Sequence, residues 1–444
     1  MALPERLAAR LAELPDHQRL LIAFSGGLDS SVLLHALRRI QPETPLLAVH
    51  IHHGLHAQAD AMADFCAATA TRLDIAFARV EVAVEPSGRG IEAAARDARY
   101  QALRERMRDG DILLTAQHAD DQAETLLLQL LRGAGPKGLA AMPRLKRFPP
   151  GWLARPLLEL RRDELRAWAL DAGVDWREDP SNRDTAIDRN YLRHEVMPRL
   201  RARWPGIATT LSRSATLCAE HDQALAALLD RHPASPGDAA EPLSLSALRA
   251  CNETEQRLIL RDWLRRQGLP RPPAQRRLHA ALEMLLNAAP DRRPEVPLGD
   301  GRLLRRYRDG LYVSPPDSNA TPPTAPIPWD GDDSLRLPDG GMLAPRISAA
   351  GSGIDMAYWR GMRRSIRYRQ GGERLRPAGA SHGVSLKTLY QQRAIPPWRR
   401  AWIPLLYLDE QLAAVGDLCV AAAFATRSGP AITLHWSATG RNDA

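Results

Sequence analysis

The feature that most constrains this chain runs from Leu20 to Leu37 and reads LLIAFSGGLDSSVLLHAL. Leu20–Phe24 is an apolar run of strand length, and Ser25, Gly26 and Gly27 make a turn. Asp29 and Ser30 then open a helical pattern with Val32, Leu33, Leu34 and Leu37 as its apolar positions. A strand that feeds a helix through glycines aims backbone N–H groups at one spot, at the positive end of the helix dipole. Glycine permits backbone angles closed to other residues and lets an anion come close. That geometry suits phosphate, with Ser25, Gly26, Gly27, Leu28, Asp29 and Ser30 as candidate contacts. Gly-Gly alone reads equally as a simple strand-to-helix turn capped by Asp29 or Ser30. The full SGGLDS behind a strand is more specific. It has no Lys of the GxxxxGK(S/T) loop, so that class of phosphate binder is not indicated.

What surrounds this element is an alternation. Strand-like runs at Leu20–Phe24, Pro45–His50, Ile75–Val84, Ile112–Ala116 and Trp152–Leu157 are separated by helical patterns at Asp29–Ile40, Ala57–Leu73, Ile91–Arg108 and Asp121–Leu131. Alternation of this kind predicts an α/β domain with a parallel sheet, helices on both faces, and ligands at the carboxyl ends of the strands. SGGLDS, HIHHGL and TAQHADDQAET follow the first, second and fourth strands, so all three are expected at one edge. With 444 residues the chain has room for further domains. Residues 1–207 read as the catalytic domain and 208–314 as a mainly helical one, closed by a hairpin around Asp309-Gly310. Residues 315–328, with six prolines in fourteen, read as a linker, and 329–444 as a small α+β domain. No apolar run reaches membrane-span length and the N-terminus reads as an amphipathic helix, so a cytoplasmic protein is expected. Cys66, Cys218, Cys251 and Cys419 lie far apart with no CxxC pair, against a disulfide framework or local Cys-pair metal ligation.

In HIHHGL, His50, His52, His53 and His56 invite a metal reading, but neutral imidazoles without a flanking Cys or carboxylate make a poor closed site. Substrate or nucleotide contact, with His52 as candidate for the nucleotide, is preferred to it, beside ordinary capping or packing. In TAQHADDQAET, Asp121 and Glu124 are three apart and share a helix face. They read as a carboxylate pair for a cation, Mg²⁺ or an amine, with N-terminal capping as the alternative. Arg96 and Arg99 stand near the start of a helix, where they can neutralise phosphate. RGAGPKGLAAMPR, with Lys137 and Arg144, reads as a mobile loop near the substrate. Asp179–Asn182 reads as a turn, and Arg189, Asn190 and Arg193 precede a short helix closed by Pro198. The net charge of +8 is uneven: Tyr358–Arg400 holds eleven Lys and Arg against Glu373 alone. Its interleaved Tyr358, Trp359, Tyr368, Tyr390 and Trp398 are suited to stacking on bases. A solvated face is the plain alternative.

SGGLDS resembles the PP-loop of the ATP pyrophosphatases, which cleave ATP to AMP and pyrophosphate. SGGLDSSVLLH, VHIHHGL, GIEAAARDARY, TAQHADDQAETLLLQLLRGAGPKGLAAM and DPSNRDTAIDRNYLRHEVMPRL together resemble the tRNA(Ile)-lysidine synthase family. So do RQGGERLRPAG, SLKTLYQQRAIPPWRR and PLLYLDEQLAAVG near the C-terminus, while the middle third matches only loosely. The resemblance implies a two-step ligase. ATP adenylates the C2 carbonyl oxygen of the wobble cytidine of tRNA(Ile) with a CAU anticodon, and free L-lysine displaces AMP. It implies ATP and Mg²⁺ as cofactors and a C-terminal tRNA-binding domain. Implied roles are Asp29 beside the leaving pyrophosphate and on Mg²⁺, Asp121 and Glu124 on lysine, and Arg189 with Arg99 or Arg96 on phosphate or base. Arg363, Arg364, Arg367, Arg369, Arg374, Arg376, Lys387, Arg393, Arg399 and Arg400 would hold the tRNA body. The anticodon loop would fall to the first domain. A related tRNA thiolase is the alternative, made less apt by the missing Cys pair. The sequence leaves the oligomeric state open, a homodimer being one expectation.

Overall fold

A computed structural model describes residues 2–52, 54, 59–83, 91–178, 184–238, 241–269, 275–289, 292, 294–299, 301–314, 321–348, 353–426 and 428–437. They form two compact units, Met1–Ala227 and Leu228–Ala444.

The first unit begins α1 (Leu3–Leu11), β1 (Arg19–Ala23), α2 (Leu28–Ile40), β2 (Leu46–His52), α3 (Ala59–Arg72), β3 (Ala76–Glu81) and α4 (Ile91–Glu105). It continues β4 (Asp111–Leu114), α5 (Ala119–Leu131), α6 (Pro136–Leu139), β5 (Leu145–Phe148), β6 (Gly151–Ala154) and α7 (Arg162–Asp171). After residues 179–183, outside the described residues, come α8 (Asp188–Tyr191), a π-helical turn (Leu192–Val196), α9 (Met197–Arg203) and α10 (Ile207–Asp230). The strand order is β3-β2-β1-β4-β6-β5. Every pair is parallel except β5 with β6.

The central strands β1 and β4 are apolar beyond their first residue, because both their faces are covered. Leu20 and Ile22 of β1, with Ile112 and Leu114 of β4, pack on α1, α2, α3 and α7. Leu21 and Leu113 face the opposite way, onto Leu103 and Met107 at the end of α4. The fifth expected strand is Gly151–Ala154, shorter than Trp152–Leu157. The antiparallel β5 was not expected: its sequence, LKRF, carries two cations because as an edge strand it exposes them. From β1 the chain winds through β2 and β3 to one side, then crosses to β4 on the other. The crevice where that order reverses opens between the carboxyl ends of β1 and β4, where α/β sheets place their ligands.

The second unit holds β7 (Leu243–Ser244), α11 (Leu245–Arg249), α12 (Glu253–Arg266) and α13 (Gln275–Asn287). These are followed by β8 (Glu295–Gly299), β9 (Arg302–Tyr307) and β10 (Gly310–Ser314). The expected hairpin is present as β9–β10, extended by β7 and β8 into a four-stranded sheet. Residues 315–320 of the expected linker lie outside the described residues. Its end is a strand: Ile327–Trp329 pairs with Arg364–Arg367 at the edge of a five-stranded sheet, where Pro328 has no ladder hydrogen bond to lose. A second five-stranded sheet, including Met342–Ser348 and Ala431–Ser437, shares one core with the first.

Trp359, Tyr368 and Tyr390 belong to that region's interior, 4%, 3% and 0% exposed. Trp398 meets the rings of Tyr307 and Tyr312 edge-on, at 6.2 and 5.8 Å between centroids. The reading of Trp359, Tyr368 and Tyr390 as base-stacking residues is therefore corrected, while Trp398 is half-buried. Trp359 and Tyr390 sit on the inner faces of the short helices Met356–Gly361 and Leu386–Gln392, and Tyr368 follows the strand Arg364–Arg367, so the interspersed arginines belong to the outer faces of the same short elements. Tyr358 alone of the five is well exposed, at 45%.

Candidate active site

The turn after β1 is built for close approach. Gly26 has φ +80°, and a Cβ there would come within 2.8 Å of Met62 Sδ and 2.9 Å of Cys66 Sγ on α3. Both the dihedral and the packing demand glycine. The N–H of Arg177 fixes the turn from outside, donating to Gly26 O at 2.9 Å. Ser30 Oγ donates to Gly27 O (3.1 Å), and Ser25 N donates to Ser30 Oγ (3.3 Å). The first intrahelical bond runs from Ser31 N to Gly27 O. The N–H groups of Leu28, Asp29 and Ser30 thus precede any intrahelical acceptor, as an anion nest requires.

Across the crevice, α5 starts at the end of β4, and its N-cap is His118. The Asp121 carboxylate caps this helix, accepting from His118 N at 3.1 Å, so the capping alternative holds for one of its oxygens. His118 Nε2 lies 3.3 Å from Asp121 Oδ2 and 3.5 Å from Asp29 Oδ2, and Nδ1 lies 3.5 Å from Asp120 Oδ2. Burial alone would lower this imidazole, but the carboxylates of Asp121, Asp120 and Asp29 outweigh it and push it up to about 10. The ring stands between the nest side of the crevice, at Asp29, and the α5 side, at Asp120 and Asp121.

The other Asp121 oxygen and Glu124 meet two arginines from 65 to 72 residues downstream. Arg189 donates through Nη2 to Asp121 Oδ1 (2.8 Å) and through Nε to Glu124 Oε2 (3.0 Å). Arg193 donates to Asp121 Oδ1 (2.7 Å) and to both Glu124 oxygens (2.7 and 2.9 Å). Two cations and two anions form a quartet with carboxylate side chains only 11% and 3% exposed. Charge-assisted bonds hold buried arginines in the ionised state. Burial works against Arg189 and Arg193, yet Asp121 and Glu124 raise both above the ordinary range. The helical and π-helical segments from Asp188 to Val196 deliver both guanidinium groups to one place.

Asp120 was overlooked among the acidic residues of this motif. It is buried, accepts from Arg162 N (2.8 Å) and pairs with Arg201. Gln122 was overlooked too: its amide clamps both N and O of Met142 at 3.0 Å. RGAGPKGLAAMPR is consequently no free loop but contains α6 and this clamp, and Arg144 pairs with Glu13 at 3.2 Å. His50 is buried with Nδ1 3.0 Å from Phe24 O, and burial lowers its imidazole. His52 Nε2 lies 3.2 Å from Asp60 Oδ1 at the end of β2. Arg99 lies near enough to His50 to act on its charge. His53 and His56 lie outside the described residues.

Asp29 Oδ1 is buried without a hydrogen-bond partner, with Arg162 Nε 4.0 Å away. An orphaned carboxylate oxygen beside an anion nest fits Mg²⁺, which is typically held by one or two carboxylates plus substrate phosphates.

The basic residues of the second unit are dispersed by comparison. Arg363, Arg376, Lys387 and Arg393 are exposed. Arg364 donates to Trp359 O, Arg374 to Gly383 O (3.2 Å), and Arg400 to Ile395 O (2.9 Å) and Tyr307 Oη (3.0 Å). Arg367 is bidentate to Glu410 at 2.8 and 2.9 Å, Arg369 is 4.0 Å from Glu373, and Arg399 lies over the Tyr312 ring.

Three family profiles match the chain: a PP-loop domain at residues 3–200, a TilS substrate binding domain at 243–312 and a TilS substrate C-terminal domain at 365–436. The tRNA(Ile)-lysidine synthase of Methylococcus capsulatus is 42% identical over 425 residues, 94% of this chain and 95% of that protein. That of Alkalilimnicola ehrlichii is 42% identical over 436 residues, 96% of this chain and 95% of that protein. A solved U34-tRNA thiolase from Methanococcus maripaludis is far more distant, 17% identical with a TM-score of 0.41, covering 49% of this chain and 78% of that one. With nest, quartet and near-full-length likeness together, the chain belongs to the tRNA(Ile)-lysidine synthase family.

Proposed function

We propose that the chain carries out its family's two-step ligation, with ATP and free L-lysine, on the wobble cytidine of tRNA(Ile). What carries the reading is the meeting of an N–H nest and a charge quartet at one sheet crevice, in a chain that matches named lysidine synthases over nearly its whole length. In the first step the cytidine C2 carbonyl oxygen attacks the α-phosphorus and pyrophosphate leaves. The N–H groups of Leu28, Asp29 and Ser30 and the helix dipole stabilise the departing charge. Asp29 would hold Mg²⁺, which supplies charge neutralisation on the phosphates when bound. Arg99 is placed to contact phosphate or the adenylated base.

In the second step the neutral ε-amine of lysine attacks C2, the C–O bond to AMP breaks, and a proton leaves the nitrogen. A free amino acid is a zwitterion, and the quartet offers both complements. The α-ammonium would exchange onto Asp121 and Glu124 while the α-carboxylate takes Arg189 and Arg193, so the net charge of the cluster is unchanged. This revises the simpler expectation that the carboxylates stand open for the lysine amine. Exposed cations of the second unit bind the tRNA body, and action on tRNA fits the cytoplasm. Sulfur transfer through the chain's own thiol is disfavoured near the nest: burial pushes the Cys66 thiol up to about 12.

The test is incorporation of labelled lysine into tRNA(Ile) transcripts, with cadaverine as competitor substrate. Lysine should be incorporated with pyrophosphate release, and cadaverine, lacking the α-carboxylate, poorly. Pyrophosphate release without lysine incorporation would overturn the ligase assignment. Equal use of cadaverine would overturn the zwitterion role of the quartet.

A further inference from the structure

Arg155 is buried, 3% exposed, one residue past the carboxyl end of β6, on the α4 face of the sheet with Leu153. Its Nη1 donates to Pro143 O at 2.6 Å, but its Nε has no hydrogen-bond partner. Among the described residues the acidic group that acts on it is the Tyr100 phenol, which also shares a hydrogen bond with it. Burial would raise that phenol, yet Arg96, Arg155 and Lys146 hold it below its usual range. Arg96 lies over the Tyr100 ring at 5.1 Å, Arg104 over the Phe148 ring at 4.7 Å, and Lys146 at 5.9 Å from that same ring. Among the described residues none of these four cations has a carboxylate within ion-pair distance. The ammonium of Lys146 is lowered by burial and then by Arg155, Arg96 and Arg104, a sign of how closely the charges crowd.

The largely buried Arg189 and Arg193, by contrast, each meet two carboxylates. A buried cation without a carboxylate partner is costly, which applies to Arg155; the exposed Arg96, Arg104 and Lys146 beside it add to a patch of positive charge that suits an anion from outside. Arg96 and Arg104 are about 12 Å apart along the α4 axis, at ~1.5 Å per residue. One phosphate does not reach across that distance; a nucleic-acid strand does. The face also adjoins the active site: Arg155 holds Pro143, and the Gln122 clamp on α5 holds Met142. We infer that the α4–β5–β6 face, formed by Arg96, Arg104, Lys146 and Arg155 around Tyr100, binds the sugar–phosphate backbone of RNA next to the base being modified. This rests on the proposed function for the identity of the RNA and extends it to a specific surface.

The experiment uses the full chain and an RNA hairpin comprising only the anticodon stem and loop. Arg104 and Lys146 are exposed, so the double variant Arg104→Gln, Lys146→Gln should stay folded, which circular dichroism checks. Its hairpin affinity should fall about tenfold or more at ~150 mM salt, and the log–log salt slope should flatten by roughly 1.4–1.8. The charge-retaining pair Arg104→Lys, Lys146→Arg should restore both, while the ATP KM and the kcat at saturating tRNA stay unchanged. Unaltered hairpin affinity and salt slope would overturn the inference. So would a raised ATP KM with intact hairpin binding, which would make the face a nucleotide contact, or displacement of the hairpin by polyaspartate as readily as by polyuridylate. If the wild type fails to incorporate lysine but the hairpin results hold, the ligase reading falls and the RNA face stands.

Discussion

Arg189 and Arg193 in the first unit and Arg363, Lys387 and Arg393 in the second carry the same charge in opposite surroundings. The first two are largely buried, each engaged with two carboxylates through short, directed bonds. The others point into solvent from a segment with one glutamate. A buried, paired arginine is fixed in place and acts by geometry, and salt screens it little. An exposed one acts through its field, and its contribution on polyanion binding is the release of counterions. The first kind suits recognition of a small zwitterion at a defined position. The second suits a long phosphate backbone held without demanding one register. Substitutions should therefore separate the regions by kind of effect as well as by size.

The largest effect is expected on the nest side of the buried cluster. Asp29→Ala removes the orphaned carboxylate oxygen and one partner of His118. It should abolish tRNA-dependent pyrophosphate release while leaving tRNA affinity within a few-fold of wild type. Release at near wild-type rate would show that the nest needs no carboxylate.

Next comes the quartet. Glu124→Gln leaves Arg193 and Arg189 with one charged partner instead of two, and breaking a buried pair costs about 3–5 kcal/mol. A reduced melting temperature is expected, together with a rise in the lysine KM that exceeds any rise in the ATP KM. Equal rises in both would move Glu124 to a nucleotide or metal role. The salt dependence of tRNA binding should not change, which is the contrast with the second unit.

The strand, SGGLDS turn and helix were legible because period and glycine placement are local properties. So was the convergence of motifs, because parallel alternation forces it. The quartet was only half legible. Asp121 and Glu124 announce themselves by spacing, but their partners lie 65 to 72 residues away, and no local pattern joins them. β5 was missed because an edge strand need not be apolar. The base-stacking reading of Tyr368 and Tyr390 failed for a related reason: arginines interspersed with aromatic residues describe short elements with one buried face as well as an RNA-binding surface.

In the second unit the effects should be graded by charge. Removing everything after Pro328 is a poor test, because the cut would split the paired strand Ile327–Trp329. Neutralising Arg363, Arg376, Lys387 and Arg393 to Gln leaves the core intact. It should weaken tRNA binding without altering the melting temperature. Every phosphate that is no longer neutralised should flatten the salt slope by roughly 0.7–0.9. An unchanged slope would make this a solubility face and erase the contrast with the quartet.

The smallest effect should come from Tyr390→Phe, which separates core from surface most sharply. The Tyr390 ring is fully buried and its hydroxyl has no hydrogen-bond partner. Deleting an unsatisfied buried hydroxyl removes a desolvation penalty of about 1–3 kcal/mol without opening a large cavity. Stability should stay level or rise slightly, and tRNA affinity and salt slope should match wild type. Tyr390→Ala, by contrast, should destabilise by about 3–5 kcal/mol, the cost of emptying an aromatic site in a packed core. Thermal melts and filter binding on the two variants decide the matter. Weakened tRNA binding by Tyr390→Phe at unchanged melting temperature would mean that the ring region meets RNA after all. The division between buried aromatics that hold the fold and exposed cations that hold the substrate would then have to be redrawn.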